Sequence, residues 1–333
     1  MSPLPRGGLA RLLKAGPAVA AAVAATTAAT IQPVIARDFP DPAVLAVGSN
    51  YYAYSTASNY GNQVLHVPVQ RSSALNGKWT ELGDAMPQLP PWVAKNGAAA
   101  TVWAPEVAAR SDGSFILYFT ARSGSNNVQC VGVALASSPR GPFRSVGTGP
   151  LVCRPEDVDT IDPSAFTDSD GKQYLLYTSG RGKATIWIQQ VSVDGITPIG
   201  DRHALITADR PEEGNIVEAP AMVKHGNRYV LFYSGNAFNS GRYFVNYASS
   251  TSLTSSFKKH DGQFLNRDTL GGSYTNPGGE EVVPGRKHDY LLFHAYTGST
   301  QRSMFAVGLS WDSSGNPSLE LDNLARKTTL FKP

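Results

Sequence analysis

The sequence predicts an all-β chain folded as a five-bladed β-propeller. Three observations carry that prediction: a turn-rich, charge-poor composition, five copies of one aromatic strand pattern, and a nearly constant step between the copies. The 333 residues include 32 Gly and 23 Pro, about one turn-former in six, with 41% hydrophobic and only 17% charged residues. Coiled coils, long helical bundles and disordered chains need more charge or fewer breakers. Aromatics at 10%, among them 14 Tyr and 13 Phe, suit short strands joined by tight turns.

The chain opens with Arg6, Arg11 and Lys14, an Ala-rich apolar run from Ala15 to Ala25, and small residues up to Thr30. That is the layout of a secretory signal, too short and too Ala-rich to span a bilayer. The alternative is an Ala-rich leader with no targeting role. Residues 1–30 are therefore set apart from a single domain over 31–333, expected to be a secreted, soluble monomer. Beyond the leader, 26 basic residues balance 26 acidic ones, so the net charge of +3 belongs to the leader. Neither nucleic acid nor an anionic membrane is expected as a partner, because both call for a basic face. Cys130 and Cys153 are the sole cysteines. In an exported chain such a pair reads as a loop-closing disulfide, whereas without a leader two unpaired buried thiols would be the better reading.

Five segments share a turn followed by an aromatic, β-branched run: Gly48 to Thr56, Asp112 to Thr120, Asp170 to Thr178, His225 to Ser234 and Arg286 to Ala295. Aligned on Tyr54, Tyr118, Tyr177, Phe232 and Phe293, they lie 64, 59, 55 and 61 residues apart. Each unit has a leading strand such as Thr101 to Ala109 and a return strand such as Val128 to Ala136 or Ala184 to Val193. Several close with a Ser-rich turn and an aromatic, at Trp79, Phe143 and Phe257. A four-stranded sheet cannot bury both faces alone, and radial stacking buries them while hiding the edges. A two-sheet sandwich, the competing architecture, predicts no regular step of about sixty residues.

In a propeller the innermost strands converge on a central funnel, so the repeat starts are read together. They are Asp41-Pro42, Trp103-Ala104-Pro105-Glu106, Asp162-Pro163 and Glu218-Ala219-Pro220, with steps of 62, 59 and 56 from Asp41 through Trp103 and Asp162 to Glu218. This reading places three acids and a Trp in one structural register, with Asp38 as the competitor to Asp41. Converging carboxylates cost energy unless protons or ligands compensate. Glycoside hydrolysis supplies the reason: one carboxylic acid protonates the leaving oxygen while a carboxylate activates water on the other sugar face. A third carboxylate raises the pKa of the acid, and Trp103 would stack on a sugar.

At Phe39-Pro40-Asp41-Pro42, Trp103-Ala104-Pro105-Glu106, Ile161-Asp162-Pro163-Ser164 and Val217-Glu218-Ala219-Pro220 the chain resembles glycoside hydrolase family 43, from about residue 35 to the C-terminus. The resemblance implies a five-bladed propeller enzyme that cuts arabinofuranosyl or xylosyl linkages with inversion. It implies Asp41 as general base, Glu218 as general acid and Asp162 as the residue that orients the acid and adjusts its pKa. Phe39, Trp103 and Arg302 are implied at the sugar site. Many members carry Gly-Pro-Gly-His in the fifth blade, near a central calcium or other ion, but this chain reads Asn276-Pro277-Gly278-Gly279-Glu280-Glu281. No cofactor is required on this reading, and a structural calcium in the channel is left open. His294, Glu280 or Glu281 would be its donors, the alternatives being a core histidine and solvated loop acids.

The length and the spacing of the acids resemble those of the exo-acting 1,5-α-L-arabinofuranosidases, which release arabinose from arabinan or arabinose-decorated polysaccharide. A β-xylosidase and an endo-1,5-α-L-arabinanase share the same acids and stay open, as does a non-catalytic carbohydrate-binding propeller. A wall at one end of the cleft would impose exo action, with Thr80 to Ala100 and Pro211 to Ile216 as its candidates. No Gly-x-Ser-x-Gly elbow, phosphate-cradling Gly loop or zinc spacing competes with this chemistry.

Overall fold

The computed structural model describes Met1 and residues 31–95, 100–285 and 288–321. The leader read at residues 1–30 lies outside the described residues, Met1 apart. Five four-stranded antiparallel sheets follow one another along the chain, each in sequence order. The first holds β1 (Ala43–Val47), β2 (Asn50–Tyr54), β5 (Pro68–Ser72) and β6 (Thr80–Asp84), with β3 (Ser58–Tyr60) and β4 (Gln63–Leu65) inserted between β2 and β5 as a separate two-stranded hairpin. The second holds β7 (Val102–Ala109), β8 (Phe115–Arg122), β9 (Gln129–Ala136) and β10 (Arg144–Ser145). The third holds β11 (Thr160–Thr167), β12 (Gln173–Ser179), β13 (Thr185–Val191) and β14 (Pro198–Thr207). The fourth holds β15 (Val217–His225), β16 (Arg228–Gly235), β17 (Phe244–Ser250) and β18 (Lys258–Lys259). The fifth holds β19 (Thr275–Val283), β20 (Asp289–Tyr296), β21 (Arg302–Trp311) and β22 (Pro317–Glu320). The chain is a five-bladed β-propeller, as its repeats predict.

The aromatic runs form the second strand of each blade because that strand is covered on both faces. In β8 seven of the eight residues of FILYFTAR are buried, the continuous apolar signature of a doubly packed strand. In blades two and three the hairpins that start these strands use Asp-Gly turns, with Gly113 and Gly171 both at φ +82°, where a side chain would be strained.

Burial is organised by interface. Tyr54, Val69, Leu117 and Phe119 fill the space between blades one and two; Tyr118, Val133, Leu175 and Tyr177 that between two and three. Leu176, Ile188, Met222 and Leu231 separate three and four, and Phe232, Val245, Phe293 and Phe305 separate four and five. The ring closes where Ile35, Phe39 and Val44 meet Leu292, Met304 and Ala306. There the N-terminal segment lies along β21, with Val34 N–H donating to the Met304 carbonyl at 2.8 Å and Phe39 N–H to that of Arg302 at 2.7 Å. Trp79, Phe143 and Phe257, the aromatics of the Ser-rich turns, are all buried.

Cys130 on β9 and Cys153 form a disulfide, and the neighbouring Val131 and Val152 pair as a bridge. It ties blade two to the approach to blade three. Among the described residues no helix is long and apolar enough to cross a membrane.

Candidate active site

The innermost strands are bulged at the same place. Trp103 and Glu106 of β7 face Thr120 and Tyr118 of β8, so three steps on one strand meet two on the other. Ile161 and Ser164 face Thr178 and Leu176, and Glu218 and Ala221 face Ser234 and Phe232, in the same way. At these bulges, in the bulged β19 and just before β1, a residue before proline sits at positive φ: Ala104 at 41°, Asp162 at 54°, Ala219 at 53°, Asn276 at 51° and Asp41 at 50°. These five residues, not three acids and a Trp, share the structural register. Trp103 and Glu218 lie one position earlier, because proline fixes the phase of the bulge and not the identity of the acid. Non-glycine residues held at positive φ cost about 1–3 kcal/mol each and persist where surrounding contacts over-determine them.

Those contacts come from the preceding blade. Thr56 Oγ1 accepts Ala104 N–H at 2.8 Å and Thr120 Oγ1 accepts Asp162 N–H at 3.0 Å. His294 Nδ1 accepts Asp41 N–H at 3.1 Å. Ala219 N–H donates to Asp162 Oδ2 at 3.0 Å, so Asp162 holds the backbone beside Glu218.

Asp41, Asp162 and Glu218 thus surround one funnel whose floor includes Glu106, Glu280 and Glu281. Their environments separate them. Burial raises Asp41, but the Arg302 guanidinium, 3.6 Å from Oδ2, outweighs it together with His294 and a 2.6 Å hydrogen bond from Thr56. The net effect holds Asp41 well below the carboxylate range, and it is ionised. Glu218 is pushed up to about 7, by burial first and by the charge of Asp41 next, against a 2.8 Å hydrogen bond from Tyr243. Asp162 is also raised, by burial and by Glu218 and Asp41. A carboxyl group held low beside one raised is the pairing that acid–base glycoside hydrolysis uses.

The other residues implied at the sugar site divide. Arg302 lies against Asp41 and its guanidinium sits 5.1 Å from the ring centroid of Phe238, which is 43% exposed. Trp103 is 37% exposed at the start of β7 and is free to meet ligand. Phe39 corrects the expectation: it is 0% exposed, packed with the core between blades five and one. Its ring closes the propeller and cannot stack on a sugar. Asp38 is occupied structurally, accepting Arg302 N–H and the Ser58 hydroxyl, each at 3.0 Å.

His294 is fully buried, and burial lowers its pKa. Its Nδ1 faces both the Asp41 N–H at 3.1 Å and Asp41 Oδ1 at 3.2 Å, and its Nε2 has no partner among the described residues. A calcium ion does not fit this donor set. Calcium takes about six to eight oxygens. Here Glu106 and Glu281 are hydrogen-bonded to each other, Glu280 Oε2 is bonded to Ser234, and His294 Nδ1 serves Asp41. Among the described residues no group of three or more His, Cys, Asp or Glu is arranged to hold a metal.

Several residues of the site are not singled out by the sequence. Tyr243, which binds Glu218 and stacks on His294 with centroids 6.0 Å apart, enters from a loop with no repeat signal. Gly279 has one, its place in the departing fifth blade. A Cβ there would lie 2.6 Å from Asp41 Oδ1 and 2.7 Å from His294 Nδ1. The imidazole of His294 fills the space that a side chain at 279 would need.

The comparisons with known proteins agree with this geometry. Residues 30–317 match the model of glycosyl hydrolases family 43. The chain is 25% identical over 294 residues to extracellular endo-α-(1→5)-L-arabinanase 1 of Bacillus subtilis, covering 84% of this chain and 86% of that one. Among solved structures it resembles a thermostable family-43 glycoside hydrolase at a TM-score of 0.74, with 24% identity over 88% of this chain and 96% of the other. It also resembles an exo-1,5-α-L-arabinanase from a bovine ruminal metagenomic library at a TM-score of 0.68, with 21% identity over 85% and 97%. With a family match over most of its length and a five-bladed propeller whose inner strands bring Asp41, Asp162 and Glu218 together, this chain belongs to glycoside hydrolase family 43.

Proposed function

We propose that the protein is an exported, inverting arabinan-directed hydrolase that releases L-arabinofuranose, with Asp41 as general base and Glu218 as general acid. The observation that carries the proposal is the contrast in the surroundings of these two groups: Asp41 lies against Arg302, His294 and Thr56, which hold it low, and Glu218 is buried against Tyr243 and raised to about 7. In the reaction Asp41 takes a proton from water as the water oxygen bonds to the anomeric carbon. The glycosidic C–O bond breaks and Glu218 passes its proton to the departing oxygen, so charge and atoms balance. Asp162 positions Glu218 through Ala219 N–H, and Arg302 and Trp103 meet the sugar.

The arabinan substrate is favoured by the names of the similar proteins, and export by the extracellular relative. Exo action is favoured by material on the funnel face. The β3–β4 hairpin rises beside Asp38, whose carbonyl accepts the Tyr60 hydroxyl, and residues 92–94 and 211–216 bond to the ends of β8 and β16. Endo action is the second reading, favoured by the endo-arabinanase relative.

The test is hydrolysis of linear arabinan with product sizing, beside 4-nitrophenyl α-L-arabinofuranoside and β-D-xyloside, for wild type and Glu218→Gln. Arabinose alone is expected, with a loss of about 10²–10⁴-fold on arabinan in the variant and a smaller loss on the activated aryl substrate. Oligosaccharide products would replace exo by endo action, and xyloside cleavage would move the enzyme to xylosides. Binding of arabinan without turnover would make it a carbohydrate-binding propeller.

A further inference from the structure

The β3–β4 hairpin is an insertion that the sheet of blade one does not need, since β2 pairs directly with β5. It is nevertheless tied down at the funnel face. Its roots, Ser58 and Leu65, are each 3% exposed, while Asn59 and residues 61–64 stand in solvent. The Ser58 hydroxyl donates to Asp38 Oδ2 at 3.0 Å, and the Tyr60 hydroxyl donates to the Asp38 carbonyl at 2.9 Å. Asp38 Oδ1 accepts Arg302 N–H at 3.0 Å, and the Arg302 guanidinium stands 3.6 Å from Asp41. On the outer side the Arg37 guanidinium covers the Tyr60 ring, 3.4 Å from its centroid, and pairs with Glu81 of β6. At the root, Ala57 N–H donates to the Val102 carbonyl at 2.8 Å, and Thr56 Oγ1 bonds both Asp41 and Ala104. The hairpin therefore rises beside the proposed base and the strand that carries Trp103.

The two sides of the funnel differ chemically. In an inverting displacement water attacks the anomeric carbon on the face opposite the leaving oxygen. With Asp41 as base and Glu218 as acid, the leaving chain lies toward Glu218 and the sugar being released lies toward Asp41 and Arg302. Residues 211–216 lead into β15 and Glu218, so they border the leaving side. Residues 92–94 bond to the end of β8 in blade two, and β6 is the outermost strand of blade one. Of these segments the hairpin is the one that stands on the side of Asp41.

We propose that the β3–β4 hairpin is the wall that limits the glycone side of the funnel to one arabinofuranose, and that Asp38 is the positioning residue that holds it there. The wall rests on the hydrolytic, arabinan-directed reading of the site and gives exo action its structural cause. A second arabinose linked to the one being cut would have to enter the space that the hairpin fills. Selection of this kind works by a clash with the wrong substrate, not by added affinity for the right one. Asp38 suits the task because a single carboxylate takes the hairpin on one oxygen and the Arg302 backbone on the other. The wall and the arginine at the sugar site then cannot separate without losing a hydrogen bond to a charged group, which is stronger than a neutral one.

The experiment uses two substrates that differ only on the glycone side, 4-nitrophenyl α-L-arabinofuranoside and the matching α-1,5-linked arabinobioside, with products sized early in the reaction. Wild type should release arabinose from the bioside and free nitrophenol only afterwards. Ser58 and Leu65 pair across the hairpin, so an Asn-Gly turn can replace residues 59–64. That variant should shift the first products to arabinobiose and nitrophenol, freed together in one step. Asp38→Ala, and Ser58→Ala combined with Tyr60→Phe, should shift them the same way to a smaller extent. Asp38→Asn should keep the wild-type pattern, because its amide oxygen still accepts Arg302 N–H and the Ser58 hydroxyl can accept the amide N–H. A merely structural tether would lower turnover of both substrates and leave the products unchanged. Arabinose alone from every variant that still cleaves the monoside overturns the wall and leaves the hydrolytic reading intact. Arabinobiose from wild type overturns the wall and exo action together, with hydrolysis still established. If the shortened hairpin prevents folding, seen as no cleavage of the monoside, the variants at Asp38, Ser58 and Tyr60 decide by the same products. A wild type that cleaves neither substrate retires the hydrolytic reading, and the wall with it.

Discussion

Asp41 and Glu218 carry carboxyl groups of similar intrinsic acidity, and their neighbours drive them apart. Arg302 and His294 stand beside one and lower it, and burial and the charge of Asp41 raise the other. With the proposed roles, activity needs Asp41 ionised and Glu218 protonated, so it is present above the first pKa and lost as pH rises through the second. The kcat/KM profile on arabino-oligosaccharide should therefore fall on its alkaline side at about 7, where Glu218 titrates. Tyr243 lowers the pKa of Glu218 by donating to it, so Tyr243→Phe should move that alkaline limb to higher pH. In Arg302→Gln the burial of Asp41 is no longer outweighed. Its pKa rises and the acid limb should move toward neutrality, measured on the same profile. A shift of either limb in the opposite direction would contradict the assignment.

At the scale of the element, the bulged inner strands do the positioning. Each bulge turns a residue before proline to positive φ and aims the next stretch of backbone at the funnel. Blade five departs furthest. In β19 two shifts follow each other, between Thr275 and Gly278 and between Gly278 and Glu281, and its Gly-Gly pair makes room for Tyr243, His294 and Asp41. Gly279→Ala places a Cβ against Asp41 Oδ1 at a φ of +59°. Positive φ costs a side chain about 1–2 kcal/mol, and displacing a catalytic group by about 1 Å costs about 10²-fold. The variant should fold with a modestly lower Tm and lose about 10²-fold in kcat/KM. Retention of full activity would mean that Asp41 is not held where the chemistry needs it.

For the whole molecule, closure of the ring is tied to the site. The segment that carries Phe39 along β21 continues directly into Asp41, so the seam between blades five and one and the proposed general base share one stretch of chain. Phe39→Ala should cost about 3–5 kcal/mol and lower Tm and activity together, as read by calorimetry and arabinose release. Cys153→Ser opens a loop of 23 residues between blades two and three. That should cost about 2–4 kcal/mol and lower Tm, with turnover below the transition left near wild type, because neither cysteine touches the funnel. Activity lost in step with the disulfide would contradict that separation.

The five-bladed architecture, the closing aromatics and the three carboxylates were legible in the sequence because a repeat writes its period into turns, aromatic runs and prolines. Each of those features depends on neighbours close in the chain. What the sequence could not show is the phase within the bulge, which takes Glu218 and Trp103 out of register with Asp41 and Asp162. Nor could it show that Phe39 faces the core while Asp41, two residues on, faces the funnel. Those outcomes depend on strand pairing and on contacts between blades. Tyr243 reaches Glu218 and His294 reaches Asp41 across long stretches of chain, and Glu280 is kept neutral by burial. The sequence by itself determined the number of blades and the chemical groups available to the site. Only the tertiary structure decided which of those groups meet and which carry a proton, since distance and desolvation, not residue type, set the state of a carboxyl group.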